Sequence, residues 1–237
     1  MQMTAKGSIF LTTRQALDAV CMDFRSYEPQ IMLFSEVLRV ISNGDAIIKR
    51  ERGKEGRWVA ARHGLKMVWF DGPALGEYVC RALNEHAPDL EIITSVCSRV
   101  FQTHAYTATD SATGLPGVCI ETGMENFACQ QCGNCCNSLD YRDALGAEDV
   151  AGWKRMGRRD ILEHVQILDR NYPAKAYRIW VKPGTHELAD RCPFLEHMPT
   201  ENRWTCCIHD VKPSICRDYP VSRKHGMMTG CPGFNQK

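Results

Sequence analysis

Eight consecutive residues constrain this chain more than any other stretch: Cys129-Gln130-Gln131-Cys132-Gly133-Asn134-Cys135-Cys136. Two thiols separated by two residues can converge on one ion across a tight turn, and Gly133 can take the positive φ that such a turn requires. Cys135 continues the same spacing. Three thiols so spaced also match the run that supplies three ligands to an iron–sulfur cluster in bacterial ferredoxins, where a Cys-Pro dipeptide supplies the neighbouring thiol. This chain has Cys-Pro twice, at Cys192-Pro193 and Cys231-Pro232, both remote from the run. Cys135 and Cys136 are adjacent. Neighbouring side chains diverge by about 100° in a helix and about 180° in a strand, so the pair is expected to serve two centres, or to leave one thiol spare.

The other cysteines extend the pattern. Of 13 in 237 residues, four (Cys21, Cys80, Cys97 and Cys119) precede residue 129, and nine follow from there. The opening MQMTAKGSIF lacks the basic region and apolar stretch of a secretory signal, and no apolar run approaches the roughly 20 residues that span a bilayer. These features read as a cytoplasmic protein off the membrane, whose thiols stay reduced and hold metal before they form disulfides. The formal net charge of +1 favours neither nucleic acid nor an anionic membrane. Downstream of the run lie Cys192, Cys206, Cys207, Cys216 and Cys231. With Cys207 set aside, eight thiolates remain, enough for two four-cysteine sites or for one cluster plus one ion. Spacing does not say which thiol goes to which centre. Cys21 and Cys80 lie on or beside apolar helical stripes, and the four early cysteines read as core residues.

The chain divides in texture. Residues 1–117 read as an α+β segment and 118–237 as a loop-rich, cysteine-rich, metal-organised domain with one main helix. In the first part, Thr12 or Thr13 caps a helix that repeats Ala16, Leu17, Val20, Cys21 and Phe24 at helical spacing. A second helix fits Gln30–Ser42 and stops at Asn43-Gly44. Strands fit Ala46–Arg50, Arg57–Ala61 and Leu65–Phe70, with a turn at His63-Gly64, and Pro73 opens a further helix. Residues 90–107 fit helix by spacing and strand by composition. Thr107–Gly117, rich in Thr, Gly and Pro, reads as the linker. The charge-rich Lys49–Arg57 stretch reads as a solvated hairpin, its mixed signs arguing against a nucleic-acid contact. Trp58 and Trp69 read as core. In the second part a helix is expected over about Ala147–Leu168, and seven prolines from Pro173 to Pro232 interrupt the rest. A segment of that kind needs a staple, which metal can supply.

Taken together, CQQCGNCC, Arg191–Leu195 (RCPFL), Cys206–Pro220 (CCIHDVKPSICRDYP) and Gly230–Phe234 (GCPGF) resemble the CxxCxxCC family of zinc- or iron-chelating domains, a broad group to which flagellin lysine N-methylases belong. The resemblance covers roughly Phe127–Phe234. It implies metal ligation by Cys129, Cys132, Cys135, Cys136, Cys192, Cys206, Cys216 and Cys231. Cys207 falls where members vary. His209 stands for a usual tyrosine and Lys212 for a usual arginine. Arg217, between Pro213 and Pro220, is a candidate to donate to cluster sulfurs or to balance their charge, with a surface ion pair to Asp218 as the plainer alternative. His197, His209 and His225 are ordinary histidines on this reading.

Three functions remain open at this stage. One is a metal- or cluster-binding protein, with an iron–sulfur cluster of the [4Fe–4S] type or zinc or iron ions, acting in electron transfer, metal handling or partner binding. A second is a group-transfer enzyme resembling the protein methylases. A third is a structural zinc module that docks a protein partner. The triple spacing leans towards iron–sulfur.

Overall fold

The structure is a computed structural model, and it describes residues 3–4, 7–60, 66–138, 142–143, 145–169 and 176–234. The chain forms two compact units, Met1–Glu125 and Asn126–Lys237.

The first unit runs β1 (Met3–Thr4), β2 (Ser8–Thr12), α1 (Thr13–Ser26), α2 (Ile31–Ile41), β3 (Ile47–Lys49), β4 (Gly56–Ala60), β5 (Val68–Asp71), α3 (Gly72–Glu85), α4 (Leu90–Phe101), β6 (Ala105–Thr109) and β7 (Pro116–Glu121). Local chemistry sets each start and stop. The Thr12 hydroxyl accepts the Gln15 amide while the Gln15 side chain accepts the Thr12 amide, a reciprocal cap on α1. The Asp71 carboxylate caps α3 through the Ala74 amide at 2.9 Å. Asn43 and Gly44, both at positive φ, end α2, and Gln102 at φ 53 ends α4. One antiparallel sheet has the order β1-β2-β7-β6 and a second the order β3-β4-β5. The helices pool their apolar stripes with Val118 and Ile120 of β7 in one core. Residues 90–107 resolve as helix, then turn, then strand, because helical spacing governs up to Phe101 and composition after it.

Three expectations shift. Thr107–Gly117 is no linker. It is the end of β6, a tight turn and the start of β7, with the Asp110 carboxylate accepting from Ala112 and Thr113. A hairpin turn and a linker draw on the same residues, so composition cannot separate them. The units accordingly meet at Glu125 and Asn126, and residue 117 lies inside a strand. Trp58 and Trp69 face each other across β4 and β5, edge to face at 5.5 Å, half-buried rather than deep in the core. The Lys49–Arg57 hairpin is solvated as expected over Arg52–Glu55, whereas Arg57 is buried and donates to the Gly56 carbonyl. Expectations at Ala61, His63-Gly64 and Leu65 fall outside the described residues.

The second unit contains α5 (Asn134–Ser138), α6 (Ala147–Arg155), α7 (Arg159–Leu162), β8 (Val165–Asp169), β9 (Ala176–Ile179), β10 (Leu195–Met198), β11 (Arg203–Cys206), α8 (Ser214–Arg217) and α9 (Arg223–Met228), and closes on a 3-10 turn at Pro232–Phe234. The expected helix Ala147–Leu168 is cut into α6, α7 and β8. Gly157 takes φ +68 and the Arg158 amide bonds back to the Trp153 carbonyl, a left-handed stop that apolar spacing does not reveal. Strands β8–β9 and β10–β11 form two antiparallel hairpins. A second core gathers Val150, Trp153, Ile161, Ile179, Trp180 and Ile208. No helix among the described residues is long and apolar enough to cross a membrane.

Cys21, Cys80, Cys97 and Cys119 are all buried in the first unit, as their positions on apolar faces require. Burial pushes the Cys97 thiol up to about 12. A thiol reagent applied to the native chain is expected to modify Cys207 and to leave these four unmodified until denaturant is added. Peptide mapping by mass spectrometry checks this, and rapid native labelling of Cys97 would contradict the packing.

Candidate metal centre

The turn comes first. Within CQQCGNCC, Gln131 (φ 51) and Gly133 (φ 76) both adopt left-handed backbone, and the chain then enters the short helix α5. The Trp204 amide of β11 donates to the Gln131 carbonyl at 2.8 Å and so holds the turn against that strand. An added Cβ at Gly133 would lie 2.8 Å from the Trp204 ring, so the position needs glycine for its conformation and for space alike.

Four further contacts bring distant loops to this turn. The Cys192 amide donates to the Cys136 carbonyl at 2.9 Å, and the Cys207 amide to the Phe194 carbonyl at 2.9 Å. The Ala128 amide donates to the Gly233 carbonyl at 3.0 Å, and the Gln130 side chain to the Pro232 carbonyl at 2.8 Å. The loop that carries Cys216 is tied to α6 from two sides. Asp149 accepts the Ser214 amide at 3.0 Å and its hydroxyl at 2.7 Å, while the Trp153 indole donates to the Val211 carbonyl at 2.8 Å. The expected main helix therefore serves as a buttress.

These contacts enclose a cavity of about 370 Å³. Cys129, Cys132, Cys135, Cys136, Cys192, Cys206, Cys216 and Cys231 all line it. Cys207, the ninth cysteine of the unit, is exposed and is absent from the lining. Arg217 also lines the cavity, and its ion pair with Asp218 is long at 3.9 Å and exposed, worth little to stability. Among the three histidines, His209 lines it. His197 instead stacks on Trp204 at 4.7 Å, and His225 sits edge-on to Tyr219. Lys212 is on the wall, as are Trp180, Trp204 and Tyr219, three aromatics that the sequence reading missed. Trp204 precedes Cys206 by two residues in a strand, so both fall on one face, a signal that was available. Nothing local marks Trp180.

The thiols interact strongly. Cys135 and Cys136 stand 3.8 Å apart, sulfur to sulfur. The divergence expected of adjacent side chains leaves them in contact, because one helical step at this short radius still permits two Sγ atoms to meet. The hydrogen bond from Cys136, helped by backbone amides and by the Lys212 charge, lowers Cys135 to about 7. The same contact, followed by burial, raises Cys136. Burial pushes Cys192 up to about 12 and raises Cys231. Neutral thiols are thus favoured at several positions until a cation replaces the proton. Among the described residues, no three Cys, His, Asp or Glu side chains stand in an arrangement that would hold one ion without rearrangement. The sulfurs face a shared space, and the donor set itself, all thiolate, is that of zinc or iron–sulfur sites. The Trp180 indole N–H is buried and has no hydrogen-bond partner among the described residues, so this cavity wall carries a spare donor suited to a sulfur acceptor.

The turn's dependence on Gly133 is testable. Gly133→Ala should cost about 1–2 kcal/mol for left-handed backbone plus the displacement of Trp204. Gly157→Ala, at φ +68 with nothing within 4 Å, should cost only the backbone share. Urea unfolding of both variants reads the difference, and equal losses would mean that Trp204 does not brace the turn.

Residues 128–232 match the family model of the CxxCxxCC domain, described as zinc- or iron-chelating. No curated protein and no solved structure matches the chain. The match supports a metal-binding role and lies wholly within the second unit. By this match, the second unit is similar to the zinc- or iron-chelating CxxCxxCC domains.

Proposed function

We propose that this protein binds zinc or iron through the thiolates of Cys129, Cys132, Cys135, Cys136, Cys192, Cys206, Cys216 and Cys231, and that the metal holds the second unit together. The observation that carries this reading is selective. Eight of the unit's nine cysteines line one cavity, while Cys207 is turned to solvent. Eight unbridged thiols around one space are a poor core, since burial and mutual proximity raise the pKa of several of them. Metal ligation turns the same crowding into bonds, and the binding free energy becomes folding free energy. Lys212 and Arg217 on the wall offset the negative charge of a thiolate site. The Trp180 N–H offers a hydrogen bond to a ligated sulfur.

Between the two metals, the Cys129–Cys132–Cys135 spacing favours iron–sulfur, which would give the protein a redox role. Zinc in the same ligands carries no electrons and would make the unit a structural module.

Metal and acid-labile sulfide are to be measured on protein purified without oxygen, alongside the absorption near 400 nm. Iron with matching sulfide would establish the cluster form, and zinc without sulfide the structural one. Cys216→Ser should lower the metal content and Cys207→Ser should leave it unchanged. Absence of both metals from the unmodified chain, even after reconstitution, would overturn the reading.

A further inference from the structure

We propose that the eight thiols divide four and four, with Cys136, Cys192, Cys206 and Cys216 on an inner centre at the apolar core and Cys129, Cys132, Cys135 and Cys231 on an outer centre beside Phe127 and Phe234. This partition rests on the metal-binding reading above and goes beyond it, because neither the spacing nor the family assigns ligands to centres.

The inner group is defined by packing. Cys192 is buried in the second core, and Cys136 and Cys206 pack against that core. Ile215, next to Cys216, packs there too. Backbone bonds fix three of the four to one another. The Cys192 amide meets the Cys136 carbonyl, the Leu195 amide meets the Cys192 carbonyl at 3.2 Å, and Leu195 pairs with Cys206 across β10 and β11. The outer group is defined by a different set of contacts. Ala128, which precedes Cys129, bonds to Gly233, two residues after Cys231. Gln130 bonds to Pro232, and the Phe127 and Phe234 rings meet at 5.1 Å. Cys132 follows in the same turn, between Gln131 and Gly133, and is not among the residues of the inner core.

Cys135 and Cys136 lie at the seam. Their 3.8 Å separation equals the edge of a tetrahedron with bonds of about 2.3 Å, so distance alone would let both bind one ion. It is also ordinary contact between sulfurs of two adjoining centres. The packing decides for the second: Cys136 is held against the core with Cys192 and Cys206, and Cys135 is not. Each centre then has four thiolates and no open position, the arrangement of a structural or electron-carrying site rather than one that binds substrate.

The full-length metal-free chain is to be loaded with cadmium-113, a spectroscopic stand-in for a tetrahedral thiophilic ion, and its cadmium-to-Hβ correlations recorded. Two cadmium resonances are expected, each correlated with the four cysteines named. A single resonance, one cadmium correlated with both Cys135 and Cys136, or one correlated with both Cys192 and Cys231 would overturn the partition while leaving metal binding intact. Failure to bind any cadmium would overturn the metal reading and the partition with it. Variants give a second test. Cys231→Ser alone and with Cys129→Ser should each remove the same half of the bound metal, and Cys231→Ser with Cys192→Ser should remove all of it. Equal loss from Cys231→Ser alone and from its pairing with Cys192→Ser would overturn the partition. Should Cys192→Ser prevent folding, the correlations of the unmodified chain decide.

Discussion

The hydrogen bond from the Cys192 amide to the Cys136 carbonyl ties two cysteine-bearing segments of the second unit to each other. It joins the cysteine-rich turn to a loop 56 positions later in the chain, and it does so with backbone groups, so it needs no metal to form. Around it, the Trp204 amide fixes the turn, Asp149 fixes the Cys216 loop, and the Gly233 carbonyl fixes the chain end. Each bond contributes only about 1 kcal/mol net. Together they hold the cysteine-bearing segments around one space, which would lower the entropy cost of the proposed metal binding.

Part of this was legible in the sequence. Helix α1 followed from Thr12 and from the apolar repeat at Ala16, Val20 and Phe24, because a helix whose cap and stripe agree leaves few alternatives. The exposure of Cys207 and its place off the cavity wall are facts of packing that spacing does not give. What was hidden depends on single backbone angles. Gly157 at φ +68 divides one expected helix into helix, helix and strand. The turn after Asp110 is composed like a linker and acts as a hairpin. Trp180, just past the end of β9, became part of the cavity wall through packing in the second core, which no local pattern records.

The same residue type serves opposite ends in the two units. In the first, the thiols are small apolar groups. Cys97 is fully buried with its proton secured, and Asn84 and Cys80 surround Cys21. In the second, the thiols crowd one another beside Lys212 and Arg217, and the core that supports them, Trp153 against Trp180 at 6.4 Å, is built around the cavity rather than away from it. Core and candidate metal site share a wall, so the unit has no scaffold that could be altered independently of the site.

The contact between Cys135 and Cys136 has a consequence for the life of the chain before it is loaded. The contact with Cys136 lowers Cys135, which makes it the readier of the two to lose its proton, and it faces the second sulfur at 3.8 Å. Such a thiolate is a nucleophile and a target for peroxide, and a sulfenic acid formed there would find a partner already in contact. An ion bound to either sulfur takes that electron pair out of reach. In the proposed metal-bound form, the ion would serve this pair as a protecting group.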